Sequence, residues 1–169
     1  VKMRLVETQA DVAVINKITL NEHNLADTSV KLICVAATGY DNIDLDYCRR
    51  ANIAVCNVPG YSTEGVAQHT IALMLAVVNQ IGKYDEILKT GDWQTIREFK
   101  NFPLPLMELN GKTLGIIGYG AIARRVADIA KAFNMRVIVV NRSKVSDTTV
   151  TQVSLDYLLS NSDIISLHC

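Results

Sequence analysis

One stretch constrains the fold more than any other: Leu114-Gly115-Ile116-Ile117-Gly118-Tyr119-Gly120-Ala121-Ile122-Ala123. A short apolar run passes directly into G-x-G-x-x-A, and the residues beyond it carry helical periodicity. Ala123, Val126, Ala127, Ala130 and Phe133 recur at the spacing of one helix face, with Arg124, Arg125, Asp128 and Lys131 off it. Asn134 is a stop signal for that helix. Val137-Ile138-Val139-Val140 is then a β-branched run suited to a strand buried on both faces. Strand, glycine turn, helix and strand within about thirty residues make a mononucleotide-binding βαβ unit. A glycine triplet alone is weak, and the context on both sides is what makes this one specific.

The residue types fit that task. Gly118 permits a tight strand-to-helix turn, Gly120 lets a pyrophosphate approach a backbone with no Cβ, and Ala123 keeps the helix close to the sheet. The helix N-terminus offers unpaired N–H groups and a positive dipole end. At the end of the second strand, 23 residues after Gly118, an NAD-specific site carries an acid for the ribose 2′-hydroxyl; this chain has Asn141-Arg142-Ser143-Lys144. Without an acid to repel a 2′-phosphate, and with a guanidinium and a hydroxyl beside it, the position favours NADP over NAD. The alternative is a solvated basic turn with no such preference.

The 169 residues are 49% hydrophobic, enough for a real core, with zero formal net charge and a pI near 7.0. No basic face points to nucleic acid. The longest apolar run, Ile71 to Val78, is far short of a membrane span, and no signal pattern opens the chain. Cys34, Cys48, Cys56 and Cys169 lack C-x-x-C spacing. With Cys34 and Cys56 in strand-like runs, buried free thiols in a reducing, cytoplasmic setting are expected. No residues have metal-ligand spacing.

The first part of the chain alternates in the same way. Strands are expected at 12–15, 32–36 and 53–56, with helices near 21–28 and 44–51, as in a parallel sheet covered on both faces. Asp41, Asp44 and Asp46 sit where capping and helix-dipole complementarity explain them better than paired-carboxylate chemistry. A helix over 64–82 follows, apolar nearly all round from Ile71 to Val78, so it must be buried on every side, in a core or against a partner chain. Gly91-Asp92, Pro103 and Pro105 mark an irregular connection in which Trp93 and Phe102 pack. The nucleotide unit begins near Leu109, with a further helix at 155–160 capped by Ser154 and a third and last strand at 164–167. Both ends of the chain look cut.

Three segments carry a family resemblance: Val35-Ala36-Ala37-Thr38-Gly39-Tyr40-Asp41-Asn42-Ile43-Asp44, then Asn57-Val58-Pro59-Gly60-Tyr61-Ser62-Thr63-Glu64-Gly65-Val66-Ala67-Gln68-His69-Thr70, then Leu109 to Gly120. In this order they resemble the D-isomer-specific 2-hydroxyacid dehydrogenases, with 93–108 most similar to the glycerate dehydrogenase (hydroxypyruvate reductase) branch. The resemblance implies an α/β protein: a partial flavodoxin-like substrate domain over 1–60, then linker helices and the first half of a Rossmann dinucleotide-binding domain over 61–169. It implies that Thr38 and Gly39 hold the substrate carboxylate, that Thr70 lies near the coenzyme, that Tyr119, Gly120, Ala121 and Ile122 line the pyrophosphate, and that His168 lies on the nicotinamide side. The family's proton-donor His, its partner Glu and its substrate-gripping Arg match positions beyond His168-Cys169. No catalytic residue is therefore assigned, and the 169 residues alone are expected to be inactive.

The activity implied is reduction of a small 2-keto acid, with hydroxypyruvate or glyoxylate leading, by NADPH or NADH. A coenzyme-sensing interaction protein of the corepressor type shares the fold and stays open as a rival. A methyltransferase is disfavoured because no acid follows the second strand. His23 reads as a surface residue, and His69 suits a structural role as well as coenzyme contact. A homodimer through 64–107 would cover the apolar helix.

Overall fold

Alternating β-branched and helical segments in the first sixty residues produce a three-stranded parallel sheet. The computed structural model describes residues 1–91 and 104–169, so the expected packing of Trp93 and Phe102 lies outside the described residues. They divide into two units, Val1–Ser62 and Thr63–Cys169.

In the first unit the order is α1 (Lys2–Thr8), β1 (Val12–Ile15), α2 (Glu22–Leu25), β2 (Leu32–Val35), α3 (Leu45–Arg50) and β3 (Ala54–Cys56). The strands run parallel in the order β1-β2-β3. Leu20, Leu25, Ile33, Val35 and Cys48 are the most buried side chains of its core. Asp44 caps α3 by accepting the Tyr47 N–H at 2.9 Å, and Asp46 pairs with Arg49 at 2.9 Å, so two of the three clustered acids serve the helix. Helix α1 has no clear apolar stripe and so leaves no periodic signal in the sequence.

Coverage of this sheet departs from expectation. Ala13, Ile33 and Val35 are buried, but Val12, Val14, Ala54 and Cys56, on the alternate positions, are exposed. Within this unit α2 and α3 supply apolar cover to one face only. The expected burial of Cys34 and Cys56 fails for the same reason: Cys34 is half-buried and Cys56 exposed, while Cys48 is buried.

The second unit contains α4 (Thr63–Val78), α5 (Ile81–Thr90), β4 (Thr113–Ile117), α6 (Ala121–Ala132), β5 (Arg136–Val140), β6 (Thr151–Gln152), α7 (Leu155–Asn161) and β7 (Ile164–Leu167). Its sheet is parallel in the order β6-β5-β4-β7. Four strands stand where three were expected, because the two-residue β6 is too short and polar to show periodicity. Strand β5 buries Val137 and Val139, with Ile138 and Val140 half-buried, so its second face is less covered than the run suggests.

The expected 64–82 helix is two helices, broken where Gln80 adopts a left-handed φ of 54°. Helix α4 packs on α6 through Ala67, Ile71, Met74 and Val78, against Ala123, Val126, Ala127 and Ala130. The alanines of α6 leave room for the larger side chains of α4, and Arg125 Nε donates to Glu64 Oε2 at 2.9 Å across the pair. Burial on every side does not hold: Val66, Leu73 and Val77 face outward, Val77 with 70% of its surface exposed. Among the described residues no helix is long and apolar enough to cross a membrane.

Candidate coenzyme site

The turn between β4 and α6 is fixed by sterics. Gly118 has φ +87°, and a Cβ there would meet the His168 carbonyl oxygen at 2.5 Å. Only glycine satisfies both constraints. Its N–H donates to Val140 O at 2.9 Å, and the His168 N–H donates to Ile117 O at 2.8 Å, so the turn sits between the ends of β5 and β7. Gly120 differs in kind. Its φ is −90° and nothing lies within 4 Å of a hypothetical Cβ. No side chain caps α6, and among the described residues the N–H groups of Gly120, Ala121 and Ile122 have no acceptor. Three amides at the positive end of a 12-residue helix can bind one anion. The small residue expected at position 123 is fully buried beneath the helix.

Tyr119 adds neither its side chain nor its N–H to that surface: the side chain is buried and the N–H donates to Asn141 Oδ1. The residue is 4% exposed, with the Arg124 guanidinium 5.7 Å from its ring centroid. Its hydroxyl donates to Asp147 Oδ2 at 2.7 Å. Burial first, and then the bond to Asp147, pushes the phenol well above its usual range. Thr149, whose hydroxyl donates to Asp147 at 2.6 Å, together with Tyr119 holds the Asp147 carboxyl down at about 2.

Asn141 is committed within the protein: Oδ1 accepts the Tyr119 N–H at 3.1 Å, and Nδ2 donates to Ser143 Oγ at 3.0 Å and Ser143 O at 3.2 Å. Gln152 adds Nε2 bonds to the carbonyls of Asn141 and Ser143, both at 3.1 Å, and accepts the Val145 N–H at 2.9 Å. Arg142 is exposed, and among the described residues it has no ion pair or hydrogen-bond partner. Asp147 and Gln152 shape this loop without matching a local motif; only the distances reveal them.

His168, half-buried, places Nε2 2.9 Å from Ser166 Oγ, and burial lowers its pKa, favouring the neutral ring. Thr70 donates its hydroxyl to Val66 O at 2.8 Å and lines an apolar groove of about 450 Å³ between α4 and β7 with Leu73, Met74, Val77, Ile165 and Leu167. That groove has no cationic donor and is separate from the glycine turn. In the other unit, Thr38 Oγ1 donates to Val58 O at 3.2 Å and Asn57 Nδ2 donates to Thr38 O at 2.8 Å. The N–H groups of Thr38 and Gly39 have no acceptor among the described residues. His23 and His69 are both exposed.

Residues 71–169, the strand–turn–helix unit included, match the family model for the D-isomer specific 2-hydroxyacid dehydrogenase NAD binding domain. The chain belongs to the D-isomer-specific 2-hydroxyacid dehydrogenase family. It is 36% identical over 144 residues to a hydroxypyruvate reductase of Blautia hydrogenotrophica, covering 83% of this chain and 45% of that protein. A solved acyclic imino acid reductase in complex with NADPH and D-Arg superposes with a TM-score of 0.87 at 34% identity, covering 99% of this chain and 53% of that one. The Aquifex aeolicus D-lactate dehydrogenase complexed with NAD and lactic acid gives 0.84 at 35% identity, over 100% and 50% of the two chains. The expected α/β architecture and family therefore hold, and an NAD(H)- or NADP(H)-binding domain is present. The chain spans about half the length of the curated relatives it matches.

Proposed function

We propose that the whole protein is an NAD(P)H-dependent reductase that converts a small 2-keto acid, hydroxypyruvate or glyoxylate, to the D-2-hydroxy acid. The observation that carries this reading is the set of three uncapped amides at Gly120, Ala121 and Ile122, above a Gly118 that no other residue can replace. In such a unit the pyrophosphate lies on these amides and the adenosine ribose beside Asn141-Arg142-Ser143. The bound coenzyme supplies the hydride. Thr38 and Gly39 offer free amides to the substrate carboxylate, held open by Asn57. His168 presents a neutral ring on the nicotinamide side, and Thr70 lies near the coenzyme with its proton already donated to the helix. On this reading Val1–Ser62 is part of the substrate domain and Thr63–Cys169 holds the first half of the coenzyme domain.

NADPH is the preferred coenzyme on this reading. Asn141 bonds the turn instead of the ribose, and it leaves the Ser143 O–H free to donate. Among the described residues no carboxylate competes for Arg142, which suits a 2′-phosphate. A charge-assisted hydrogen bond contributes on the order of 1.5–3 kcal/mol before screening, roughly tenfold or more in affinity. Titration calorimetry with 2′-phospho-ADP-ribose and ADP-ribose tests the adenosine side alone. Wild type should favour the phosphorylated ligand, and Arg142→Ala should abolish the preference while leaving ADP-ribose affinity within about twofold. Equal affinities in wild type would refute the phosphate clamp.

We infer a homodimer through the 64–107 region, supported by the outward stripe of Val66, Leu73 and Val77. A cytoplasmic setting accords with its unpaired cysteines. Leu73→Lys with Val77→Lys should give monomer in light scattering; an unchanged dimer would exclude this face. Leu75 is a poorer probe, because it packs partly on its own core.

A further inference from the structure

Cys34 on β2 and Cys56 on β3 are register partners in adjacent parallel strands, with their sulfurs 3.5 Å apart. Neighbouring strands lie about 4.8 Å apart, inside the Cα separation of roughly 4.4–6.8 Å that a disulfide spans. Bond formation requires the sulfurs to approach by about 1.5 Å. Among the described residues strand β3 is the edge of its sheet, with no paired strand on its far side to resist that shift. Cys56 is exposed and Cys34 half-buried, on the face of the sheet that this unit leaves open. None of the roles assigned above uses either thiol.

We propose that Cys34 and Cys56 form a redox-responsive dithiol that closes to a disulfide when the chain meets a peroxide. The Cys56 thiolate attacks a peroxide oxygen; the O–O bond breaks, sulfur becomes a sulfenic acid, and the leaving hydroxide takes a proton to become water. Cys34 then attacks that sulfur as its own proton departs. The S–S bond forms, the S–O bond breaks and a second water leaves. Two thiols and one hydrogen peroxide give one disulfide and two waters, with two electrons passing from sulfur to oxygen. The exposed thiol starts the sequence. Cys34, whose thiol is held above its usual range by the hydrogen bond with Cys56 and by burial, resolves it.

The link lies at the root of the loop carrying Thr38 and Gly39. Asn57, next to Cys56, holds Thr38 O, and the Val58 N–H donates to Ala37 O at 3.1 Å. Drawing the two strand ends together shifts these bonds and so the loop. The consequence for substrate rests on the proposed carboxylate site; the disulfide itself does not.

The 169-residue chain is treated with equimolar hydrogen peroxide, alkylated and mapped by mass spectrometry without reduction. The expected result is a linked Cys34–Cys56 peptide pair about 2 Da lighter than its two thiols, restored by dithiothreitol. Cys169 remains alkylatable as an internal control. In Cys34→Ser, a near-isosteric change, Cys56 should instead be trapped by dimedone as sulfenic acid. Wild-type Cys56 passing to sulfinic acid as fast as in that variant, with Cys34 still alkylated, would overturn the proposal. Hydrogen exchange at Val58 tests the coupling separately. Altered protection in the oxidised chain supports it, and a formed disulfide with unchanged exchange overturns the coupling alone. Neither readout depends on coenzyme or turnover, so failure of the reductase reading is seen independently.

Discussion

The two anion-ready loops of this chain are built on different principles. The 118–122 turn is set by backbone sterics: one glycine jammed beneath a neighbouring carbonyl, and a helix whose first amides are left uncapped. The 38–39 loop is held by side chains that reach across about twenty residues, Asn57 to Thr38 and Thr38 to Val58. A turn enforced by sterics tolerates almost no substitution at its pivot, whereas a loop held by hydrogen bonds loses stability in increments. The comparison also separates two glycines two residues apart, one needed for folding and the other open to a ligand.

The largest effect should come from Gly118→Ala. Positive φ and a 2.5 Å clash with backbone together should cost roughly 3 kcal/mol or more, seen as a lower urea midpoint or failure to fold. Gly120→Ala meets open space at an ordinary φ, so its midpoint should stay within about 0.5 kcal/mol of wild type while ADP-ribose affinity falls. Equal destabilisation by both changes would erase the distinction between them. Gly115 is the intermediate case. A Cβ there would clash with Ser162 Oγ, held by its bond to Leu158 O, and with the fully buried Leu158 side chain, so Gly115→Ala should cost about 1–3 kcal/mol, against side chains where Gly118→Ala meets backbone.

The same division governs what was legible in the sequence. The β4–turn–α6–β5 unit rests on local periodicity and on glycines whose role is chemical, and it emerged with its strand and helix order intact. The break at Gln80, the two-residue β6 and the open face of the first sheet did not. A left-handed glutamine has no propensity signal, Thr151 and Gln152 are too few to show alternation, and coverage of a sheet face depends on which helices pack there. Tyr119 illustrates the limit within the site: its place beside Gly118 is visible in sequence, but its partner Asp147 lies 28 residues away. The apolar circumference of α4 implies burial all round, yet burial follows only the face that packs on α6.

Asn57→Ala should have a smaller effect than Gly118→Ala and no larger a one than Gly115→Ala. It removes one bond to Thr38 O without creating a clash, for a loss of about 1 kcal/mol confined to the first unit. Hydrogen exchange would show faster opening at Val58 and unchanged protection in β4 and α6. Protection lost equally in both units would mean that the 38–39 loop is not the separately held element described here.

The smallest effect concerns His168, whose carbonyl lies against Gly118 and whose ring pairs with Ser166. Burial lowers its pKa in the folded state below the unfolded value near 6.5, because the charged ring loses solvation. The unfolded chain therefore takes up the proton first as pH falls. Stability from the neutral ring is fully present above about pH 6.5, declines as pH drops through the folded-state value, and is level below it. His168→Gln keeps a polar partner for Ser166 but removes the titration. His23 and His69 remain in both proteins, so the difference between their urea midpoints isolates His168. Measured at pH 8, 6.5 and 5, wild type should lose its advantage over the variant progressively toward the acid side. Keeping above pH 4.5 avoids titrating Asp147, whose carboxyl stays ionised down to about 2. A midpoint difference independent of pH would show that only the backbone of His168 supports the turn. Protein sterics would then account for this end of the site without help from ring protonation.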